Sequence, residues 1–307
     1  MAEDILFAGA QQVRDALSYE ELITALRQCL LDLSTGRVIQ PLRSVLRIPQ
    51  HQGWFAVMPA VYGDVMGAKL VTFYPGNAAL DMHTHQAMIQ LFRADTGEAL
   101  AVLDGRVITE MRTAAVSALA VDTLATPHVK VLAILGSGVQ ARSHLAALAR
   151  VRRFQEIRVW SRTADHAQRF AGESGAQAYP SAEEAVRGAD VVLTLTSSPE
   201  PVLAGRWLKS GAVVCAVGAV TPDRRELDDE AMSGAVIVES REAALREPGD
   251  ILQSGATVTA ELGELLNGAT FPRTDRPVVF KSVGVAVEDI AAAKLVYEKL
   301  RPRQTAG

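Results

Sequence analysis

The chain has 307 residues, 49% of them hydrophobic and 21% charged, a length that predicts about two domains and a composition that excludes wholesale disorder and fibrous repeats. Its 31 Lys and Arg against 35 Asp and Glu leave a net charge of −4, without the basic excess that a dedicated nucleic-acid binder uses to displace counterions. The acidic start through Glu3 and Asp4 lacks the positive charge of a secretory signal, and no apolar run reaches the roughly 18 residues of a membrane span, so a cytoplasmic protein without membrane or nucleic-acid partners is expected.

Ser18 and Glu21 stand at capping-box spacing, and Leu22, Ala25, Leu26, Cys29, Leu30 and Leu33 follow at helical intervals before Gly36. This predicts a helix over 18–36. From 37 to 110 short apolar runs, such as 44–48 and 69–73, are separated by Pro, Gly and Asn turns, which predicts hairpin-like strands. Residues 110–125 are Ala-rich and free of turn residues, predicting a closely packed helix that bridges two regions.

Beyond Pro127 the rhythm changes to strands at 129–135, 157–161, 191–196, 213–217, 235–239 and 278–281, alternating with helical segments such as 139–152 and 181–187. That alternation predicts a mostly parallel, doubly wound sheet with both faces covered. Residues 288–300 are again helical and are expected to return to the first domain. Cys29 and Cys215, both in apolar surroundings, are too few for a disulfide framework or a metal site.

The strongest local signal is Gly136-Ser137-Gly138-Val139-Gln140-Ala141, directly after an apolar strand and opening a helix. Gly136 permits a tight turn, Gly138 clears room for a pyrophosphate, and Ala141 allows close packing of helix on strand. The helix N-terminus then offers unpaired N–H groups and a favourable dipole to the phosphates. An acidic residue at the end of the second strand would bind a ribose 2′-hydroxyl and repel a 2′-phosphate. The chain offers Ser161, Arg162 and Thr163 there, whose charge and donors favour NADP(H). Asp165 close by keeps NAD(H) as the alternative.

Several segments together resemble the ornithine cyclodeaminase and mu-crystallin family: Pro41-Leu42-Arg43, Met58-Pro59-Ala60, 67–71, Pro75-Gly76-Asn77, Thr84-His85-Gln86, Asp104-Gly105, Arg112-Thr113-Ala114-Ala115, the glycine loop, Arg225-Glu226-Leu227-Asp228 and Lys281-Ser282-Val283-Gly284. They run in order through nearly the whole chain. The resemblance implies an α/β protein with a Rossmann-type doubly wound domain, 119–287, and an α+β substrate-binding and dimerisation domain, 1–118, joined by the C-terminal segment 288–307. It implies a homodimer, a nicotinamide cofactor, and amino-acid or cyclic-imine substrates. It also implies that Arg43, Lys69 and Arg112 contact a substrate carboxylate and that Asp228 is an acid/base residue. Thr84, Arg112, Thr113, Thr196 and Ser282 resemble positions beside the cofactor.

As chemistry, a C=N bond accepts a hydride well when its nitrogen is protonated, so an acid beside that nitrogen suits Asp228, with Lys69 as a second catalytic candidate. Spacing alone leaves an equal alternative, an N-cap ahead of 230–232. Arg43, Lys69 and Arg112 each lie in or near apolar segments that call for an anionic partner. The alternative is structural ion pairing or snorkelling to solvent. His83 and His85 supply two metal ligands without a third, so no metal is expected, and His85 is read as a pocket hydrogen-bonder or a support for the turn after Asn77. Ser197 and Ser198 lack a nucleophile elbow and read as loop hydroxyls.

Enzymes that cyclise ornithine need a group for its distal amine, in this family an acid just before the Met-Pro-Ala segment. The chain has Gln52-Gly53-Trp54-Phe55-Ala56-Val57 there, with no carboxylate, which suits a compact apolar ring. The expected activity is therefore NAD(P)H-dependent reduction of a cyclic ketimine carboxylate, Δ1-pyrroline-2-carboxylate to proline or its six-membered homologue to pipecolate. The alternatives are ornithine cyclodeamination, an alanine-type dehydrogenase, and a non-catalytic NADP(H)-binding protein.

Overall fold

The structure is a computed structural model that describes residues 4–301; residues 1–3 and 302–307, the latter ending the expected 288–307 segment, lie outside the described residues. The chain divides into two compact units: one takes it up to Arg112 and again from Val285 onward, and the other is Thr113–Gly284.

The first unit opens with β1 (Leu6–Ala8), α1 (Ala10–Ala16) and α2 (Tyr19–Ser34), and continues through β2 (Val38–Ile39), β3 (Ser44–Ile48), β4 (Gly53–Tyr62), β5 (Val65–Phe73), β6 (His85–Arg93) and β7 (Ala99–Asp104) into α3 (Gly105–Leu124). Ser18 caps α2 as its spacing predicts: the Glu21 N–H donates to its Oγ at 3.3 Å, and its hydroxyl donates back to the Glu21 carboxylate at 2.6 Å. The sheet order is β1-β7-β6-β5-β4-β2, with β3 also paired to β4. The strands from β4 to β7 form an antiparallel meander, whereas β1 lies parallel to β7, a pairing no local pattern announces. Alternation sorts the side chains: Ala56, Met58 and Ala60 of β4 are buried on one face, while Phe55 and Val57 on the other are half-exposed. The boundary between the units falls inside α3, whose residues from Val107 are nearly all buried. A helix apolar all round belongs in an interior.

The second unit runs β8 (Val131–Leu135), α4 (Val139–Leu148), β9 (Glu156–Trp160), α5 (Ala164–Ser174), β10 (Gln177–Ala178), α6 (Ala182–Val186), β11 (Val191–Thr194), β12 (Val213–Ala216), β13 (Ala235–Val238), α7 (Arg241–Ala244), α8 (Gly249–Ser254), β14 (Val258–Glu261), α9 (Leu262–Leu266) and β15 (Val278–Lys281). Its eight strands are all parallel in the order β10-β9-β8-β11-β12-β15-β13-β14. Chain order reverses between β8 and β11, which defines the switch point of a doubly wound sheet. The strand β14 was not expected, because its Val-Thr-Ala-Glu sequence carries too little apolar pattern to stand out; it is an edge strand whose Thr259 is exposed.

The dinucleotide-type helix α4 is anchored from within its own unit. The imidazole of His144 bonds the Gln140 carbonyl at 2.8 Å and the Ser117 hydroxyl of α3 at 2.9 Å. Burial pulls its pKa down to about 4, so it is held as a neutral ring that can both donate and accept.

The last helix, α10 (Ala286–Leu300), belongs to the first unit, where it packs against α2 and the sheet strands β4, β5 and β6. Among the described residues no helix is long and apolar enough to cross a membrane.

Candidate active site

In the first unit the sheet and α10 bring Lys69 and Arg112 together around one carboxylate. Asp289 Oδ2 lies 2.6 Å from Lys69 Nζ, and Asp289 Oδ1 accepts from Arg112 Nε at 3.1 Å. Arg112 also donates to Glu288 Oε2 at 2.8 Å. Both acids are fully buried, with Lys69 at 2% and Arg112 at 5% exposure. They sit in the first turn of α10, where the helix dipole favours negative charge, and Glu288 also accepts from the Val285 N–H. Part of the anionic partner that the sequence reading reserved for a substrate is thus supplied by the chain itself. Two acids inside the apolar run 285–293 were the available signal, since buried charges need partners.

The charges tune one another. Burial pulls the Lys69 ammonium down to about 8, with Arg112 and Arg43 adding to the depression and Asp289 opposing it. Burial acts to raise the Asp289 carboxyl, but Arg112 and Lys69 outweigh it and hold the group below its ordinary range. Arg43, half-buried just before β3, is near enough for its charge to be felt at Lys69.

The same sheet face carries an aromatic row. Trp54, Phe73 and His85 are in register across β4, β5 and β6, with ring centroids 5.7 Å apart for Trp54 and Phe73 and 4.7 Å for Phe73 and His85. Alternation places them on the Lys69 side of the strands. His85 therefore packs its ring against Phe73 in a tilted contact, and of its two expected roles, pocket hydrogen-bonder or support for the turn after Asn77, the second is filled by other groups. That turn is closed by Asn77 Nδ2 donating to the His83 carbonyl at 3.0 Å and by Tyr74 N–H donating to the Thr84 carbonyl at 2.9 Å.

In the second unit the glycine turn has the shape a pyrophosphate needs. Gly136 has φ +114°, and a Cβ there would lie 2.7 Å from the Leu195 carbonyl oxygen, so glycine is required. A Cβ at Gly138 would meet nothing within 4 Å, and α4 begins at the next residue, Val139, with its first N–H groups unpaired by the helix. Ser137 and Gln140 are half-buried, Val139 is exposed, and Ala141 is fully buried beneath the turn. The residues thus fit a dinucleotide. Ser161, Arg162 and Thr163 directly follow the end of β9, with Arg162 and Thr163 exposed.

The other second-unit candidates cluster around buried acids at the carboxyl ends of the strands. Thr196 gives both its N–H and its hydroxyl to Glu226 Oε1, each at 2.6 Å. The Ser282 hydroxyl donates to Glu239 at 2.8 Å. Thr113 is buried on α3. Asp228 Oδ1 accepts from the Gly205 N–H at 2.9 Å and the Ala231 N–H at 2.8 Å, so the capping alternative describes that oxygen. Any acid/base work falls to Oδ2. Glu226 and Glu239 escaped the sequence reading; the signal was an acid next to apolar strand ends, with Glu226 inside the very motif that drew attention to Asp228.

Fold and site together define a two-unit α/β protein with a dinucleotide-type parallel sheet and a separate buried cluster of cations. The chain belongs to the ornithine cyclodeaminase/mu-crystallin family, whose model matches residues 3–304. It is 48% identical over 301 residues to the ketimine reductase mu-crystallin of Mus musculus, covering 95% of this chain and 96% of that protein. Its fold is similar to the Thermococcus litoralis Δ1-pyrroline-2-carboxylate reductase in complex with NADH and L-proline, at 34% identity and a TM-score of 0.91 over 96% of this chain and 97% of that one. It is also similar to an archaeal alanine dehydrogenase dimer with bound NAD, at 30% identity and a TM-score of 0.89 over 96% of this chain and 95% of that one.

Proposed function

We propose that the protein is an NAD(P)H-dependent ketimine reductase that reduces a cyclic imine carboxylate, Δ1-pyrroline-2-carboxylate or its six-membered homologue, to the corresponding cyclic amino acid. The observation that carries this reading is the sheet face of the first unit. It combines the buried cations Lys69 and Arg112, with Arg43 near them, with the row Trp54, Phe73 and His85, and the stretch 52–57 offers no carboxylate for a second ammonium group. A small acid with an apolar ring matches that combination, whereas ornithine does not. The activities named for the mouse and Thermococcus relatives point the same way.

When bound, the nicotinamide supplies a hydride to the imine carbon. Arg43, Lys69 and Arg112 contact the substrate carboxylate, and Asp289 and Glu288 hold Lys69 and Arg112 in fixed positions for it. Asp228 Oδ2 holds the proton that the reduced nitrogen requires, its partner oxygen being pinned by two backbone N–H groups. Gly136, Gly138 and the start of α4 hold the pyrophosphate, and Arg162 with Ser161 and Thr163 favours a 2′-phosphate, hence NADPH over NADH. Lys69 and Arg112 keep their carboxylate role in this reading, Thr84 and Thr113 stand as cofactor neighbours, and Thr196 and Ser282 reach the cofactor through their backbone and unshared lone pairs.

The working form is a homodimer. Phe7, Leu46 and Met88 are 68%, 61% and 46% exposed on the sheet face opposite Lys69 and α10, and a second copy laid against this face would remove them from water. The decisive assay follows absorbance of NADPH and of NADH with each cyclic imine, beside NAD with ornithine and NADH with pyruvate and ammonia. Turnover with imine supports the reading; turnover confined to ornithine or pyruvate, or cofactor binding with no turnover at all, overturns it.

A further inference from the structure

The second unit contains a buried charge cluster that the proposed reaction has not used. Glu226 is fully buried, and each of its oxygens accepts two hydrogen bonds. Oε1 takes the N–H and the hydroxyl of Thr196, both at 2.6 Å, and Oε2 takes the Thr194 hydroxyl at 2.8 Å and the Gly218 N–H at 2.7 Å. Thr196 lies two residues beyond the end of β11 and Gly218 two beyond the end of β12. One carboxylate therefore ties together the loops leaving two adjacent parallel strands. Gly218 is required for this: a Cβ there would lie 2.0 Å from the Thr196 carbonyl oxygen and 2.7 Å from Glu226 Oε1.

Asp250 extends the cluster. Its Oδ1 accepts from the N–H groups of Glu226 and Leu227 at 2.7 and 3.0 Å, and its Oδ2 lies 3.0 Å from the ammonium of Lys281, the last residue of β15. Asp250 and Lys281 are both at 0% exposure. The neighbouring Arg225 is paired with Asp229 at 2.7 Å. Two carboxylates to one ammonium leave the cluster with an excess of one negative charge. Burial pushes the Glu226 carboxyl above its usual range, and Lys281 and the Thr196 donors oppose that push. Four donors to two oxygens suit the ionised form.

The position gives the charge a purpose. A doubly wound sheet is built of two mononucleotide-binding halves with the ligand outside the carboxyl ends of the strands. The glycine turn after β8 takes the pyrophosphate, and β9 and β10 lie on the adenosine side. The loops after β11 and β12 fall to the nicotinamide half. The dihydronicotinamide ring is neutral and the oxidised ring is a cation.

We propose that Glu226, with Asp250, is a positioning residue that shapes the nicotinamide half of the site and makes it favour the oxidised, cationic ring over the reduced one. This rests on the nicotinamide-dependent reading above. A negative excess held beneath these loops, in a medium of low dielectric, attracts the cation and leaves the neutral ring unaffected. The same bias lowers the potential of the bound couple and so favours its use as a reductant.

The test is the ratio of dissociation constants for the oxidised and reduced cofactor, measured by titration in the absence of substrate for wild type, Glu226→Gln and Asp250→Asn. Each variant keeps one acceptor oxygen and removes one negative charge. The ratio of oxidised to reduced constants is expected to rise about tenfold in each, which for a two-electron couple is about 30 mV toward a higher potential. A role confined to fold stability would weaken both forms equally. Should Glu226→Gln not fold, Asp250→Asn decides by itself. A ratio within about twofold of wild type overturns this inference alone; wild-type protein that binds neither form overturns the nicotinamide reading and this inference with it.

Discussion

The carboxylate of Asp289 and the ammonium of Lys69 meet 2.6 Å apart in the interior of the first unit, with the other oxygen of Asp289 engaged by Arg112. A single buried acid thus holds in place two cations that lie 43 positions apart in sequence, at 69 and 112. Breaking such a pair from one side leaves a charge stranded in low dielectric. Asp289→Asn is expected to lower unfolding free energy by about 3–5 kcal/mol, read from the midpoint of urea denaturation at unchanged slope. A loss below about 1 kcal/mol would show that the pair behaves as an exposed one.

Protonation of Lys69 should govern substrate capture. Its pKa is depressed to about 8, so the group is a cation below that pH and neutral above it. An anionic substrate is attracted only by the cation, and capture is therefore expected to weaken as pH rises through about 8. Steady-state KM for the imine should climb across that interval while the dissociation constant of the cofactor stays level. A KM that is flat from pH 7 to about 9.5 would remove Lys69 from the carboxylate site.

Asp228 separates capping from catalysis by a pair of substitutions. Asp228→Asn keeps an oxygen to accept from Gly205 and Ala231 but cannot exchange a proton, so it should fold and bind cofactor normally while losing turnover by roughly two to four orders of magnitude. Asp228→Ala should add a stability loss of about 1 kcal/mol from the missing cap. Full activity in the Asn variant would leave Asp228 with its structural role alone.

Arg162 is exposed just past β9, where it can meet a 2′-phosphate but has nothing to gain from a bare hydroxyl. Arg162→Ala is expected to weaken NADPH binding several-fold and to leave NADH binding unchanged, as followed by cofactor fluorescence. Equal weakening of both would point to a general electrostatic effect.

The exposed apolar face of the first sheet should carry the dimer. Leu46→Glu combined with Met88→Lys puts charge into it without touching Lys69 on the opposite side. Sedimentation velocity should then report a species of half the wild-type mass. An unchanged mass would move the interface elsewhere.

Much of this protein follows from local pattern. The α2 cap at Ser18, the run of parallel strands beyond residue 127 and the glycine turn after β8 depend on spacing within a few residues, where periodicity and backbone sterics speak directly. The parallel partner of β7, the edge strand β14 and the packing of His85 against Phe73 do not, because each depends on a neighbour distant in the chain.

The same division holds at the site. Sequence by itself determined that Arg43, Lys69 and Arg112 call for negative charge wherever the fold buries them and that Gly136 and Gly138 make room for phosphate, since these demands belong to the residue types. Only the tertiary structure decided which anions answer them. It placed Asp289 and Glu288 of the last helix beside the cations and set Glu226 under the loops after β11 and β12, because a buried charge is satisfied by whatever the completed fold brings within a few ångströms, not by what stands next to it in the chain.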